Sequence, residues 1–373
     1  MSMEVSTKRN LGLDLLRMVS MLGVVVLHVL GQQGVLASAT PLSPDYMTAW
    51  LLETAAFCAV NCYALISGYV GIFGRFRYSS LALIWCQAAW YTLLIPVFFL
   101  VRYPGTVGGW ALLRSVFPAM TTHYWYFTAY FCMFFFIPAF NFLVNNMPRR
   151  QMRAIVFSIV LVFSLLPTVF QTDVLPIFPG DIFFTVDGYS PLWLALLYII
   201  GAYIRKYDLF GGISCKKALV VYLGCVLLTW GEKLAVEWGW TNFGGGYRSG
   251  GILVSYTSPT MLLAAVSLLT FFVKLPIPHW GEKPIQKLSP LAFSVYLIHV
   301  HPLVWLHFMT NRLTAYGSFG TLKLAAAVIV TALGIYAGCT LLDAVRAFVF
   351  EKLRLRQRLA ALEQRYIGDL WNA

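Results

Sequence analysis

Long apolar runs recur along the whole chain and constrain its fold more than any other feature. Of the 373 residues, 59% are hydrophobic and only 11% are charged, whereas a soluble domain has about 25% charged residues. The runs are long enough for membrane helices, which need about 20 residues, and they lack the alternation of an outer-membrane barrel. The composition excludes a soluble enzyme, a secreted disulfide scaffold and a disordered chain. It predicts an all-α, polytopic membrane helix bundle.

Hydropathy predicts about ten transmembrane helices. We expect them to form one domain over residues 1–345. We expect residues 346–373 to form a cytoplasmic amphipathic C-terminal helix on the leaflet surface, because apolar residues fall near one of its faces between Arg and Lys residues. The predicted spans are approximately 11–31, 49–72, 79–101, 124–144, 154–170, 188–204, 218–236, 252–273, 290–308 and 323–345.

The positions of Lys and Arg predict the orientation of the bundle. With a cytoplasmic N-terminus, 20 of the 27 cationic residues fall in inner segments and 4 in outer segments, as the positive-inside rule requires. The net charge of +12 is then explained by the membrane topology and by attraction to anionic lipid. We therefore expect no nucleic acid partner. The N-terminus resembles a cleavable signal peptide. We expect it to be retained, because its removal would disturb the charge alternation.

The first span contains an ionisable residue near each end of one helix face. Asp14, Arg17, Met21, Val24 and His28 are spaced three or four residues apart and therefore share a face. Ionisable groups near the centre of a span cost at least about 2.5–3.5 kcal/mol each, so this face should line a bundle interior or a cavity. Two simpler interpretations stay open: Arg17 could be an anchor paired with Asp14, and His28 an interfacial histidine.

Depth in the membrane predicts two layers of polar residues. Near the outer face, a histidine can act as a general base toward a hydroxyl group, and Glu53 could orient it. Near the cytoplasm, arginines suit a phosphorylated ligand such as a nucleotide cofactor. The histidines lack an established metal-ligand spacing, so no metal is expected. The outer layer contains His28, Glu53, His123 and His299, with Asn61 midway, and the inner layer contains Arg17, Ser67, Tyr69, Arg75 and Arg77.

Four short motifs resemble the acyltransferase-3 family of bacterial membrane acyltransferases. Arg17-x10-His28 lies in the first span, and residues 67–69 (Ser-Gly-Tyr) end the second. Residues 123–126 resemble the family's His-x-Trp-(Phe/Tyr) segment, and residues 294–299 resemble a late segment of the family that contains Tyr-Leu-x-His. The resemblance covers about residues 9–345. It departs from the family after the second span, where Arg-x-x-Arg is common but this chain has Arg75-Phe76-Arg77.

The resemblance implies transfer of an acyl group, usually acetyl, from cytoplasmic acetyl-CoA or another acyl-CoA. The acceptor would be a hydroxyl group of an extracytoplasmic glycan or another envelope molecule at the bacterial inner membrane. His28 would deprotonate that hydroxyl, and Arg17 would hold the donor or support the site. The implied site has three groups: catalytic His28, Arg17 and Glu53; donor-binding Arg17, Ser67, Gly68, Tyr69, Arg75 and Arg77; and acceptor-binding His123, Trp125, Tyr126, Asn61 and His299.

A transporter or flippase of a lipid-linked glycan is the alternative. Charged residues within spans are also typical of ion and substrate pathways. Glu232 and Lys233 in the seventh span and Asp343 in the tenth could belong to such a path. For Trp125 and Tyr126, an interfacial aromatic belt is the alternative to acceptor binding.

Overall fold

The computed structural model describes residues 9–120, 124–170, 181–368 and 370–371, and all their regular elements are helices. Short π-helical turns lie at Leu161–Leu165 and Trp305–Met309. The α-helices are α1 (Leu11–Leu30), α2 (Val35–Ser38), α3 (Pro44–Phe57), α4 (Ala59–Gly71), α5 (Tyr78–Arg102), α6 (Gly109–Ser115), α7 (Trp125–Phe134), α8 (Ile137–Asn146), α9 (Arg149–Val160), α10 (Leu166–Phe170), α11 (Pro191–Tyr207), α12 (Cys215–Phe243), α13 (Pro259–Lys274), α14 (His279–Leu288), α15 (Ala292–His299), α16 (Pro302–Val304), α17 (Thr321–Lys352) and α18 (Leu355–Tyr366).

Six helical segments in the described parts of the chain are long and apolar enough to cross a membrane. Two bent helix pairs raise the number to eight if each pair is one span. Two further predicted spans coincide with the 17-residue helix α11 and the 16-residue helix α13. The predicted membrane helix bundle is therefore confirmed, and the count of ten is approximate.

Proline residues cause the two bends. The axis turns by 57° between α7 and α8, where Pro138 lies in the first turn of α8, and by 61° after His299, where Pro302 opens the next helix. Proline lacks a backbone N–H and clashes with the preceding turn, so it starts a helix readily and cannot continue one. The second bend brings Trp305 back against the ring of His28.

Helix α1 lies inside the bundle and packs against α3, α4, α13, α15 and α17. Helices α4 and α11 cross at two glycines. A Cβ atom on Gly68 would lie 1.9 Å from the carbonyl oxygen of Tyr198, and one on Gly201 would lie 2.2 Å from that of Leu65. Small residues at such crossings let membrane helices approach closely. This close crossing fixes one wall of the bundle beside α1.

The last two helices differ in extent from the predicted C-terminal segment. Helix α17 continues through the predicted domain boundary at residue 345 to Lys352. A two-residue link, with Arg354 in the left-handed conformation, then leads into α18. The predicted surface helix thus begins at Leu355.

Candidate active site

The predicted face of α1 lines two cavities, one near each end of the helix. Met21, Val24 and His28 border a cavity of about 370 Å³, which we call the histidine cavity. Arg17 borders a second cavity of about 290 Å³, which we call the arginine cavity. A single periodic face therefore reaches both, as the helical spacing predicts.

The histidine cavity contains a direct contact between two histidines. The Nδ1 atom of His28 lies 2.8 Å from Nε2 of His299, and Nδ1 of His299 lies 2.5 Å from the carbonyl oxygen of Val295. Since a carbonyl only accepts, Nδ1 of His299 carries the proton and its Nε2 is an acceptor. His28 then donates from Nδ1, and its Nε2 keeps the lone pair. The contact therefore selects the tautomer of His28 in which Nε2 is the base.

Glu53 lies in the same cavity but does not hold His28. It is 9% exposed, and its Oε2 atom is buried without a hydrogen-bond partner among the described residues. No ion pair joins Glu53 to His28 in that part of the chain. We had expected Glu53 to orient His28, but it is His299 that contacts the imidazole. An unpaired buried carboxylate oxygen costs about 1–3 kcal/mol or more. Glu53 is nevertheless one of the residues that line the histidine cavity.

Aromatic side chains form most of the remaining lining. Trp125 and Tyr126 border the histidine cavity, as do Tyr189 and Tyr256. Trp305 also borders it. Its ring meets that of His28 edge-on with centroids 5.3 Å apart, and its indole N–H is buried without a partner in the described structure. The cavity thus combines flat aromatic surfaces with the imidazole of His28, and Glu53 and Trp305 also belong to its lining.

Asn61, a predicted acceptor-binding residue, takes another position. Asn61 is fully buried. Its amide donates to the carbonyl of Tyr256 at 2.7 Å and accepts from the indole of Trp193 at 3.0 Å, so it supports the cavity wall through Tyr256. His123 lies outside the described residues.

The arginine cavity brings together Arg17, Ser67, Arg75 and Arg77. Residues 75–77 lie outside the helices α4 and α5, and all three border this cavity. The short segment between the two helices therefore brings both arginines of the Arg-x-Arg motif to one cavity. No carboxylate lies within ion-pair distance of Arg75 or Arg77 in the described chain, whereas Arg17 pairs with Asp14 at 2.7 Å.

The Ser67-Gly68-Tyr69 segment points in three directions. Ser67 lines the arginine cavity, and Gly68 is buried at the crossing with α11. Tyr69 faces Arg205, which donates to its hydroxyl at 3.1 Å, and it borders a separate small cleft. Residues two apart on a helix differ by about 200° in direction, so Ser67 and Tyr69 cannot share a surface. The structure does not bring Gly68 or Tyr69 into the arginine cavity.

Tyr63 connects the two cavities. It lines the histidine cavity, and its hydroxyl donates to the backbone carbonyl of Arg17 at 2.7 Å. Ser67, on the arginine cavity, donates to the carbonyl of Tyr63 at 2.9 Å. Tyr63 and Trp305 were missed by the sequence analysis. The helical spacing between Tyr63 and Ser67, and the bend expected at Pro302, were the available signals.

The charged residues named for the transporter alternative are engaged within the protein. Lys233 pairs with Glu237 at 2.6 Å, and Asp343 pairs with Arg346 at 2.5 Å. Glu232 accepts from the backbone N–H groups of Ile252 and Leu253 at 2.8 and 3.1 Å. The two ion pairs each lie within one helix, α12 and α17, and the Glu232 contacts link α12 to the loop before α13. None of the three lies among the residues that line the histidine cavity.

The fold and the site define a membrane protein with a histidine pair in one cavity and arginines in another, near opposite ends of α1. The family model described as an acyltransferase domain matches residues 10–343, and the chain therefore belongs to the acyltransferase-3 family. It is a membrane acyltransferase. Comparisons with curated proteins and with solved structures give no match.

Proposed function

We propose that this acyltransferase moves an acyl group, most simply acetyl, from cytoplasmic acyl-CoA to a hydroxyl group of an extracytoplasmic glycan. The histidine pair is the observation that carries this proposal. A neutral imidazole with its Nε2 lone pair free beside a cavity is the arrangement required of a base for a hydroxyl nucleophile.

The arginine cavity supports the donor part of the proposal. Arg75 and Arg77 have no carboxylate partner in the part of the chain that the structure describes, and together with Arg17 they provide cationic donors for the phosphates of a nucleotide carrier. The side on which they lie is the cytoplasmic side in the orientation predicted from the Lys and Arg distribution. Acyl-CoA is made in the cytoplasm, so a donor bound there needs only its acyl arm to reach His28.

The histidine cavity supports a glycan acceptor. Aromatic faces suit the apolar faces of sugar rings, and Glu53 and Trp305 place polar side chains in the same lining. Ligand pockets commonly combine an apolar lining with a few such polar groups. The cavity volume of about 370 Å³ is within the usual range for small ligands.

The chemical step follows from these positions. Nε2 of His28 takes the proton of the acceptor hydroxyl while the oxygen attacks the thioester carbonyl. The new C–O bond forms, the C–S bond breaks, and the proton passes from His28 to the leaving thiolate. His299 accepts a hydrogen bond from Nδ1 of His28 throughout, which stabilises the imidazolium that forms.

The test compares two histidine variants in cells. His28→Ala should lower acylation of surface glycans by about 10²–10⁴-fold, the usual contribution of a general base, as measured by mass spectrometry. His307→Ala is the matched control, because His307 packs against Phe99 and does not line the histidine cavity. Unchanged acylation in a normally inserted His28→Ala protein would overturn the proposal.

A further inference from the structure

The C-terminal helix α18 contacts the protein next to the arginine cavity. Both oxygens of Glu363 accept hydrogen bonds from the start of α5: from the N–H of Tyr78 at 2.6 Å, the N–H of Ser79 at 3.2 Å and the hydroxyl of Ser79 at 2.5 Å. The first N–H groups of a helix have no partner within the helix. The N-cap residue of α5, Arg77, makes no side-chain cap, so Glu363 supplies it from another helix.

This cap is adjacent in sequence to cavity residues on both sides. Arg77 precedes Tyr78 and Ser79, Ser80 follows them, and Arg77 and Ser80 both line the arginine cavity. A carboxylate at a helix N-terminus also stabilises it through the helix dipole. Release of Glu363 would therefore loosen the turn that carries Arg77, so the position of α18 affects the shape of the arginine cavity.

The other side of α18 is exposed and has a defined chemistry. Leu355, Leu359 and Glu363 recur every four residues and form the half-buried face toward α5. Arg358, Leu362, Arg365 and Tyr366 form a neighbouring face, on which Leu362 is 51% and Tyr366 is 73% exposed. We call these four residues the basic stripe of α18.

The basic stripe matches anionic phospholipid. Guanidinium groups bind phosphate oxygens through paired hydrogen bonds, and apolar residues between them can enter the headgroup region. Helix α18 follows the membrane-spanning helix α17 after two residues, so its reach is limited to the leaflet in which α17 ends. That leaflet is the cytoplasmic one in the predicted orientation, and it carries the negative surface potential.

We infer that anionic phospholipid on the basic stripe holds α18 in place and thereby keeps the arginine cavity formed through the Glu363 cap. The protein would then bind its donor better in a negatively charged membrane than in a neutral one. The effect on donor binding rests on the proposed function. The lipid dependence of the Glu363 cap does not, and it can be measured without any donor.

The experiment measures hydrogen–deuterium exchange at the start of α5 in the full chain, reconstituted either in zwitterionic phospholipid or in a mixture with anionic phospholipid. The amides of Tyr78 and Ser79 should exchange more slowly in the anionic mixture, by about fivefold for each arginine that binds lipid. The double variant R358Q/R365Q should exchange equally in both membranes. K216Q/K217Q removes two exposed cations at the start of α12 and should behave as wild type.

Two further arms separate the possible outcomes. E363Q should exchange rapidly in both membranes, whereas E351Q, which changes an exposed glutamate of α17, should not. Soluble glycerol phosphate should give no protection, and if it protects as well as the membrane does, the lipid is not the ligand. Equal lipid dependence in wild type and R358Q/R365Q would overturn the inference.

Binding of coenzyme A, measured on the same samples, distinguishes the two proposals. Wild type should bind it several-fold more tightly in the anionic membrane, and R358Q/R365Q should lose that gain. If coenzyme A binds in none of the membranes while exchange still depends on lipid, the proposed donor is contradicted and the lipid dependence of the Glu363 cap is still supported. Binding that does not respond to lipid, although exchange does, would contradict the coupling between α18 and the cavity.

Discussion

The histidine cavity and the arginine cavity share the helix α1 and differ in how their polar groups are held. In the histidine cavity, His28 is oriented by His299, a residue 271 positions away, and His299 is oriented by the backbone of its own helix. In the arginine cavity, Arg75 and Arg77 have no carboxylate partner among the described residues and lie on a short segment between α4 and α5. The first arrangement fixes one tautomer for chemistry. The second leaves cations available to a charged ligand.

This difference between the two cavities shows that one helix face can have two chemical roles when its two ends pack against different residues. Asp14 pairs with Arg17 near the start of the helix, and aromatic rings surround His28 near its end. Substitutions in the arginine cavity should therefore change donor affinity, and substitutions in the histidine cavity should change the rate of the chemical step.

The largest effect on donor affinity should come from the double variant Arg75→Gln/Arg77→Gln. Loss of two charge-assisted hydrogen bonds should weaken coenzyme A binding by about 10²-fold or more, since each contributes about 1.5–3 kcal/mol. Isothermal calorimetry on purified protein measures it. Arg149→Gln/Arg150→Gln, at the exposed start of α9, is the control and should bind normally. Equal affinity in both double variants would remove the arginine cavity from donor binding.

A change at His299 should affect turnover and leave donor affinity alone. His299→Leu removes the acceptor for Nδ1 of His28 and should lower kcat about 10–100-fold, the range found for residues that orient a metal-bound imidazole by a hydrogen bond. His299→Gln can still accept through Oε1 and should recover much of that loss. If the two variants are equally impaired although both fold, the tautomer argument fails.

Glu53 should show opposite effects on activity and stability. Glu53→Met replaces a buried carboxyl group, whose Oε2 has no partner among the described residues, by an apolar side chain of similar size and should raise the free energy of unfolding by about 1–3 kcal/mol. Acyl transfer should fall about tenfold if Glu53 holds a hydroxyl of the acceptor, since a single hydrogen bond to a charged group contributes about that much. Thermal unfolding and acceptor kinetics measure the two. A variant that is less stable and fully active would contradict this account of the cavity.

A change at Gly68 should distinguish least between the two cavities. Helix α4 contributes lining residues to both of them, so a disturbance of α4 should affect both alike. Gly68→Ala places a methyl group against the Tyr198 carbonyl and should destabilise the fold by about 1–3 kcal/mol. Donor affinity and kcat should then fall together at high temperature and recover together on cooling. Gly224→Ala meets no atom within 4 Å and should be neutral or slightly stabilising. A selective loss of donor binding in Gly68→Ala would instead give Gly68 a local role in the arginine cavity.

Local periodicity made part of the site predictable. The spacing of Arg17, Met21, Val24 and His28 identified one face of α1, and all four border a cavity. The same reasoning failed for Ser67 and Tyr69, because adjacent motif residues on a helix point in different directions. Asn61 was expected at the acceptor and instead bonds to Trp193 and to the backbone of Tyr256.

Contacts between distant segments were beyond sequence reasoning. His299 was assigned to acceptor binding, yet it lies against His28 because α15 packs on α1 and the chain bends at Pro302. The Glu363 cap on α5 likewise joins residues 285 positions apart. No spacing rule predicts such pairs, since their distance depends on the crossing of several helices.

The amino-acid sequence alone is enough to establish a membrane helix bundle, to predict its orientation from the charges, and to identify the face of α1 that carries ionisable groups. These properties follow from hydropathy and helical period, which act over a few residues. Only the tertiary structure shows that His299, and not Glu53, orients His28. It also shows that Gly68 lies at a helix crossing and that α18 caps α5. These contacts depend on helix packing, because the packing sets the distances between residues that are far apart in the sequence.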